Sequence, residues 1–105
     1  MAVVAYLRVS TEKQFLENQR EEIVRFAERN GMSIDKWYTE TVSGSVSSKE
    51  RKLSGVLDKM RPGDSLIVTE ISRLSRTLLE IMTILNSCIK KGVILYSTKE
   101  VRFSE

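Results

Sequence analysis

Apolar and polar residues alternate at the start of the chain, over residues 3–9, in the pattern of a β-strand. One set of alternate positions is apolar throughout, whereas the other begins with Val4 and Tyr6 and ends with Arg8 and Ser10. Side chains two residues apart point to the same side of a strand, so Arg8 and Ser10 are predicted to share a face. The pattern predicts a strand with one buried face and a second face that becomes polar at its carboxyl end.

A long helix is predicted after this strand. Thr11 and Gln14 form a capping-box pattern, and apolar residues then recur at helical spacing until Asn30 and Gly31 provide a stop signal. A second strand is predicted over residues 32–40, although the charged residues at its centre weaken the pattern. The chain therefore begins with a strand, a helix and a strand.

The stretch that follows, residues 41–49, is rich in serine and glycine and is predicted to be a mobile loop. A short helical stripe then ends at Met60, directly before a Pro-Gly turn signal. The continuous apolar run within residues 65–70 predicts a third strand.

The last helix is predicted over residues 77–91, with Gly92 directly past its end as a C-cap signal. Four of its apolar residues share one face, which is expected to be the buried one: Leu78, Met82, Leu85 and Ile89. Residues 93–97 are predicted to form the final strand. No regular structure is expected for residues 98–105.

Strands that alternate with helices are typical of a mostly parallel sheet with helices on both faces. The predicted fold class is therefore α/β, a three-layer α/β/α arrangement with a mostly parallel central sheet. In such sheets, sites form at the carboxyl ends of the strands. The 105 residues suffice for one packed core, and no repeat or linker divides the sequence, so a single domain is expected.

Composition narrows the possible chemistry. Seventeen Lys and Arg residues against fourteen Asp and Glu give a net charge of +3, too mild an excess to indicate a nucleic-acid partner by itself. One cysteine and no histidine exclude an internal disulfide framework and a Cys/His zinc site. Any chemistry must come from hydroxyl, carboxylate and guanidinium groups.

The apolar runs are also too short for a membrane protein. None approaches the ~20 residues of a membrane-spanning helix. Arg8 comes too early in the chain for a signal peptide. We therefore expect no membrane partner and a cytoplasmic location.

Ser10 lies at a predicted strand end, and no histidine is available to act as its base. In one interpretation it is an ordinary turn or cap residue. In the other it is a nucleophile, which needs a carboxylate, a neutralised lysine, or arginines that stabilise charge developing on the substrate. Spacing alone leaves both interpretations open.

Arg73 and Arg76 follow the third strand, and their spacing places both guanidinium groups on one side of a helix entrance. They are either solvated charges, paired with Glu70 and Glu80, or a fork suited to phosphate. With Arg8 they would converge on one crevice from two strand ends, which is unfavourable unless an anion lies between them.

Several other polar residues have an ordinary interpretation beside a functional one. Gln14 and Gln19 are either exposed helix formers or amide groups that hold a hydroxyl or a phosphate oxygen near Ser10. Glu40 ends the second strand and is the best placed carboxylate for proton transfer or for orienting an arginine. Cys88 is interpreted as a small core residue rather than a reactive thiol.

Three basic residues lie on or before the second helix. Lys59 is expected on a solvated helix face. Lys49 and Arg51 border the predicted loop and could close over a bound phosphate backbone.

The sequence resembles the serine recombinases, the family of resolvases and DNA invertases. The motif "YLRVSTEKQ" at residues 6–14 carries the family's Tyr, Arg, Ser and Gln in one unbroken run. Residues 63–76 are similar to a second family motif, a Gly-Asp pair followed by an apolar strand and an arginine-bearing turn. Ser43 and Gly44 fall in the family's active-site loop. The resemblance extends over essentially the whole chain and implies a resolvase-like fold.

In this family a serine attacks a DNA phosphodiester, forms a phosphoserine link to the 5′ end and frees a 3′ hydroxyl. The resemblance implies that Ser10 is the nucleophile and that Arg8, Arg73 and Arg76 hold the phosphate. It implies supporting or phosphate-binding roles for Tyr6, Gln14, Gln19, Glu40, Arg51 and Lys59. The resemblance implies no metal and no nucleotide cofactor. Transesterification through a covalent serine intermediate conserves the phosphodiester energy, which explains how strands are rejoined without ATP.

Two positions depart from the family pattern. Ser72 stands where the family usually has an acidic residue before the first arginine of the second motif. Glu40 is one methylene longer than the usual Asp. The group that transfers the proton is therefore left open. Arg51 is preferred to Lys49 as the arginine expected after the loop, with a one-residue shift from the family spacing.

Family members continue into a long dimerisation helix and usually a helix-turn-helix region, neither of which is recognised in residues 1–105. The resemblance implies the catalytic domain of a site-specific recombinase that acts on double-stranded DNA, as a homodimer or tetramer in the full-length protein. The 105-residue chain alone is expected to be weak or inactive. The alternative is a non-catalytic remnant of the same fold that serves as a DNA-associated or protein-interaction module.

Overall fold

The computed structural model describes residues 1–9, 13–41, 52–70, 77–99 and 101–103. Within these residues the chain forms five strands and three helices. In chain order they are β1 (Val3–Val9), α1 (Lys13–Arg29), β2 (Lys36–Thr41), α2 (Lys52–Lys59), β3 (Ser65–Val68), α3 (Leu78–Lys91), β4 (Ile94–Ser97) and β5 (Val101–Phe103).

The strands form one sheet in the order β2-β1-β3-β4-β5. β1 pairs in parallel with β2 and with β3, and β3 pairs in parallel with β4. β5 runs antiparallel beside β4. The prediction of a mostly parallel central sheet is confirmed.

Helices cover both faces of this sheet. α1 packs through Ile23 against Ala5 and Leu7 on one face. α2 and α3 cover the opposite face, on which Val4 and Tyr6 belong to the core. The prediction of a three-layer α/β/α fold is confirmed, and β1 is buried on both of its faces rather than on one.

Two aspartates hold the amino end of β1. Asp64 accepts hydrogen bonds from the backbone N–H groups of Ala2 and Arg61, both at 2.9 Å. Accepting these bonds lowers the pKa of the Asp64 carboxyl, because they favour its charged form. Asp35 accepts a bond of 2.8 Å from the N–H of Val3, and its own N–H donates to the Val3 carbonyl. The carboxylates thus bind backbone donors where the first strand begins.

The Asp35 contact also explains why the second strand is shorter than predicted. β2 begins at Lys36 instead of at residue 32. Asp35 ends the loop before β2, with its carboxylate directed to the neighbouring strand.

The Gly-Asp pair before β3 forms a tight turn. Gly63 has a φ of +92°, in the left-handed region that favours glycine, and its N–H donates to the carbonyl of Gly92 at 2.9 Å. A Cβ at this position would lie 3.0 Å from the Met1 sulfur. The pair therefore serves the packing of this end of the sheet.

The ends of α3 agree with the sequence prediction, but its buried face does not. Thr77 caps its first turn by accepting from the Glu80 N–H, and Gly92 ends it with a φ of +76°. The buried residues are Ile84 and Cys88, with Ile81 and Leu85 packed beside them. Three of the four residues predicted to be buried are exposed: Leu78, Met82 and Ile89. Since α3 is apolar around much of its surface, its docking on the sheet decides which stripe is covered.

The segment for which no structure was expected contains a strand. β5 pairs antiparallel with β4, and Phe103 lies opposite Leu95 in this register. The prediction for residues 98–105 is wrong over this strand. Three residues are too few for alternation to be recognised against the charged residues around them.

Candidate active site

The carboxyl ends of β1 and β2 bring three of the expected site residues to one face of the sheet. The parallel register places Tyr6 beside Tyr38 and Arg8 beside Glu40. Because side chains alternate along a strand, Tyr6, Arg8 and Glu40 all point to the side covered by α2 and α3. Arg8 is half-buried there, at the end where the apolar core stops.

Tyr6 and Glu40 form a buried hydrogen bond. The Tyr6 hydroxyl donates to Oε1 of Glu40 at 2.8 Å. The side chain of Tyr6 is fully buried, and Glu40 is 7% exposed. A buried carboxylate is unfavourable unless it is paired or hydrogen-bonded. The tyrosine supplies one donor, and the register places Arg8 directly beside Glu40 on the neighbouring strand.

The contact with Tyr6 gives a reason for a glutamate instead of the shorter aspartate at position 40. Tyr6 and Glu40 are diagonal in the register, since the position directly beside Tyr6 is Tyr38. Diagonal neighbours are farther apart than direct pairs, so a longer side chain is better suited to reach across. The extra methylene of Glu40 spans part of that separation.

Gln19 lies on the other side of the sheet. Its side chain is 6% exposed on α1, and its Oε1 lies 3.5 Å from the Thr69 hydroxyl, a long hydrogen bond. Its Nε2 is buried and has no hydrogen-bond partner among the residues that the structure describes. An unpaired buried donor is unusual in a folded protein and marks a place where an acceptor would be favourable. Gln19 therefore approaches the carboxyl end of β3 instead of Tyr6 and Glu40.

Lys59 is exposed and lies in the last turn of α2. β3 begins six residues later, at Ser65, which pairs with Val3 at the amino end of β1. The structure therefore places Lys59 toward the amino ends of the strands. Arg8 and Glu40 lie toward the carboxyl ends of their strands.

The remaining expected site residues are not described structurally. Ser10, Arg51, Arg73 and Arg76 lie outside the described residues, as does Ser72. The loop predicted over residues 41–49 is wrong at Thr41, which ends β2 by pairing with Val9, and its other residues lie outside the described ones. Gln14 lies in the first turn of α1, and its side chain is not described.

Cys88 is a core residue, as predicted. It is 1% exposed, on the buried face of α3. Burial raises the pKa of the thiol to about 11, because the charged thiolate is disfavoured away from water. The thiol is therefore protonated at neutral pH and is no candidate nucleophile.

The sequence patterns did not indicate Thr69 and Thr98, whose hydroxyls contact side chains of α1. Thr69 directly follows β3 and is 3% exposed, and Thr98 lies in the turn between β4 and β5. The only available signal was their position directly after strands, where polar side chains in parallel sheets converge.

No helix in the described part of the chain is long and apolar enough to cross a membrane.

Comparison with known protein families gives a direct match. The family model described as "Resolvase, N terminal domain" matches residues 3–105. The transposon Tn2501 resolvase of Escherichia coli is 45% identical over 82 residues, which are 75% of this chain and 40% of that protein. A resolvase of Clostridium perfringens is 32% identical over 98 residues, which are 93% of this chain and 49% of that protein. The chain spans about half the length of the curated relatives it matches.

Solved structures share the fold. The N-terminal catalytic domain of TP901-1 integrase has a TM-score of 0.76 at 23% identity, covering 96% of this chain and 79% of that chain. A resolvase family site-specific recombinase from Streptococcus pneumoniae has a TM-score of 0.73 at 21% identity, covering 96% and 74%. These likenesses confirm the resolvase-like α/β fold. With the family model matching residues 3–105, the chain belongs to the resolvase family of serine recombinases.

Proposed function

We propose that residues 1–105 are the catalytic domain of a site-specific recombinase that cleaves and rejoins double-stranded DNA. The observation that carries this proposal is the grouping of Tyr6, Arg8 and Glu40 at the carboxyl ends of β1 and β2. Ser10 directly follows β1 in a chain that belongs to the resolvase family. A hydroxyl beside a held guanidinium suits attack on an anionic phosphate.

In the proposed reaction, the Ser10 oxygen attacks the phosphorus of a DNA phosphodiester and its hydroxyl proton is released. The serine O–P bond forms, the bond from phosphorus to the 3′ oxygen breaks, and the leaving oxygen takes up a proton as a 3′ hydroxyl, so no net proton is consumed. The DNA 5′ phosphate remains attached to the serine. Reversal by a 3′ hydroxyl after strand exchange restores the phosphodiester and frees the serine.

Arginines would do most of the electrostatic work. Arg8, Arg73 and Arg76 are proposed to hold the phosphate oxygens, on which negative charge develops in the transition state. Arg51 and Gln14 are proposed to contact the phosphate or its neighbours. These assignments rest on the positions of the two residues in the family motifs and not on a described contact.

The remaining residues are proposed to act through others or at a distance. Tyr6 and Glu40 orient Arg8 through the buried hydrogen bond and the register that pairs Arg8 with Glu40. Gln19 supports the carboxyl end of β3. Lys59, which is exposed near the amino ends of the strands, is proposed to contact the DNA backbone away from the cleavage point.

The proposal also extends to the whole protein. Relatives are about twice as long as this chain, and one of them is named as a DNA-invertase. We infer that the full-length protein works on DNA in the cytoplasm as a homodimer or tetramer. The 105-residue chain alone is expected to be weak or inactive, because it spans only about half the length of its relatives.

A covalent adduct tests the proposed function. The full-length protein is mixed with supercoiled DNA that bears its site, stopped with denaturant, and separated on a denaturing gel. We expect a protein–DNA adduct on the 5′ end, and its loss in Ser10→Ala. An adduct that survives Ser10→Ala would refute the nucleophile assignment, and no adduct from the unaltered protein would favour the non-catalytic remnant.

A further inference from the structure

The turn between β4 and β5 holds the carboxyl end of β3. The N–H of Thr98 donates to the Val68 carbonyl at 3.0 Å, and the N–H of Lys99 donates to the Thr69 carbonyl at 3.2 Å. The hydroxyl of Ser97, which is fully buried, donates to the same Thr69 carbonyl at 3.1 Å. The last residue of β4 and the two turn residues after it therefore hold Val68, the end of β3, and Thr69, which follows it.

The Thr98 hydroxyl extends this contact to α1. It lies within hydrogen-bond distance of two acceptors, Oε2 of Glu22 and the Thr69 carbonyl, the latter at 3.1 Å. A hydroxyl has one proton to donate, and the two lone pairs of the Thr69 carbonyl already receive Ser97 and Lys99. The proton is therefore directed to the Glu22 carboxylate, as a charge-assisted hydrogen bond.

Two further contacts surround this bond. The Lys99 ammonium lies 3.9 Å from carboxylate oxygens of both Glu22 and Glu70. With Lys99 about half exposed, these ion pairs add little stability, but they reduce the repulsion between the two carboxylates. The long bond from Thr69 to Gln19 makes a second link between α1 and the end of β3.

The network connects two elements that neighbour the proposed catalytic residues in the sequence. α1 begins at Lys13, three residues after Ser10. Thr69 lies four residues before Arg73. The contacts of Thr98 tie α1, which follows the proposed nucleophile, to the strand end that precedes the proposed phosphate-binding arginines.

We propose that Thr98 is a positioning residue, which holds α1, the helix after Ser10, against the strand end before Arg73 and Arg76 through its bond to Glu22. This inference rests on the proposed function and deepens it. Thr98 is argued to act through α1 and the end of β3, and not on the phosphate itself. Its effect should therefore appear in the rate of cleavage rather than in the affinity for DNA.

The test compares threonine variants in the full-length protein. Thr98→Val keeps the shape of the side chain and removes its hydroxyl, and Thr98→Ser keeps the hydroxyl. Thr83→Val is the matched control, because the Thr83 hydroxyl donates to the Leu79 carbonyl at 2.9 Å on the exposed side of α3. Single-turnover cleavage at saturating protein gives the rate constant, and titration of labelled site DNA gives the dissociation constant.

We expect Thr98→Val to lower the cleavage rate constant about tenfold, since small displacements of reacting groups have large effects on rate. The dissociation constant should stay unchanged, Thr98→Ser should recover the rate, and Thr83→Val should match the unaltered protein. In a cycle with Glu22→Gln, the double variant should be no slower than the slower single variant.

Several results would overturn the inference. Equal rates for Thr98→Val and Thr83→Val would exclude a positioning role, and so would a loss of rate in Thr98→Ser equal to that in Thr98→Val. Independent effects of the changes at Thr98 and Glu22 would exclude the proposed link between them. If the unaltered protein forms no adduct, both the proposed function and the positioning role are refuted. Cleavage that is indifferent to Thr98 overturns the positioning role alone.

Discussion

Removing the Tyr6 hydroxyl tests whether the buried contact with Glu40 stabilises the domain. Tyr6→Phe keeps the ring in a fully buried position and deletes one atom, so it leaves no large cavity. The lost interaction is a hydrogen bond of 2.8 Å to a carboxylate that is 7% exposed. Water cannot readily take the place of the hydroxyl there.

The expected magnitude follows from the charge of the acceptor. A hydrogen bond to a charged group contributes about 1.5–3 kcal/mol. Glu40 has other interactions, so it does not become an uncompensated charge, whose cost would be about 3–5 kcal/mol. We expect Tyr6→Phe to lower the free energy of unfolding by about 2 kcal/mol. In a domain of this size the melting temperature should fall by about 8 °C.

Urea unfolding followed by circular dichroism measures this change. An unaltered slope of the unfolding free energy against urea concentration would show that the fold is kept. Tyr96→Phe is the matched control. The ring of Tyr96 packs against Phe26 with centroids 5.8 Å apart, and among the described residues its hydroxyl has no hydrogen-bond partner. Its loss should cost little.

A second variant separates the bond from the ring. Glu40→Asp withdraws the carboxylate by one methylene from the Tyr6 hydroxyl, so it should remove the same interaction. Tyr6→Phe and Glu40→Asp together should then cost clearly less than the sum of the two. Equal stability of Tyr6→Phe and Tyr96→Phe, or full additivity with Glu40→Asp, would refute this reasoning.

Three further outcomes are expected. Asp64 has a pKa lowered by its backbone hydrogen bonds, so its contribution to stability is present above the ordinary pKa and is lost as the pH falls below it. Asp64→Asn should therefore reduce the loss of stability between about pH 5 and pH 2, measured by urea unfolding over that range. Cys88 should react with a thiol reagent at pH 8 only at the rate of unfolding, whereas fast labelling of the folded protein would contradict its burial. Arg8→Ala in the full-length protein should lower the cleavage rate by about 10²-fold or more with little change in melting temperature, and a collapse of the fold would indicate a structural role instead.

The sequence predicted elements best where periodicity is regular. β1 was predicted over residues 3–9 and is observed at Val3–Val9, because its alternation runs without interruption. α1 ends at Arg29, directly before the Asn-Gly stop signal. Cys88 was predicted as a core residue and is buried.

Docking and pairing could not be predicted in the same way. The buried face of α3 was assigned wrongly because Leu78 and Ile84 belong to different apolar stripes, and only contact with the sheet chooses between them. β5 was missed because its stability comes from pairing with β4, which a short sequence pattern does not show.

The candidate site was predicted in part. Alternation placed Tyr6 and Arg8 on one face, and their grouping with Glu40 is observed. Their contact depends on the register between β1 and β2, which no local pattern specifies. The bonds of Thr98 depend on a turn, where single polar residues carry no periodic signal.

Among the described strands, β2, which carries Glu40, is the outermost on its side, whereas Tyr6 and Arg8 lie on β1 between two neighbours. β2 pairs with β1 and with no other described strand, so it can separate from β1 while β1, β3 and β4 stay together. Such partial opening needs less free energy than global unfolding. It would break the Tyr6–Glu40 hydrogen bond and the pairing of Arg8 with Glu40 in one step. The lifetime of the assembled group is therefore set by the attachment of one edge strand and not by the stability of the core.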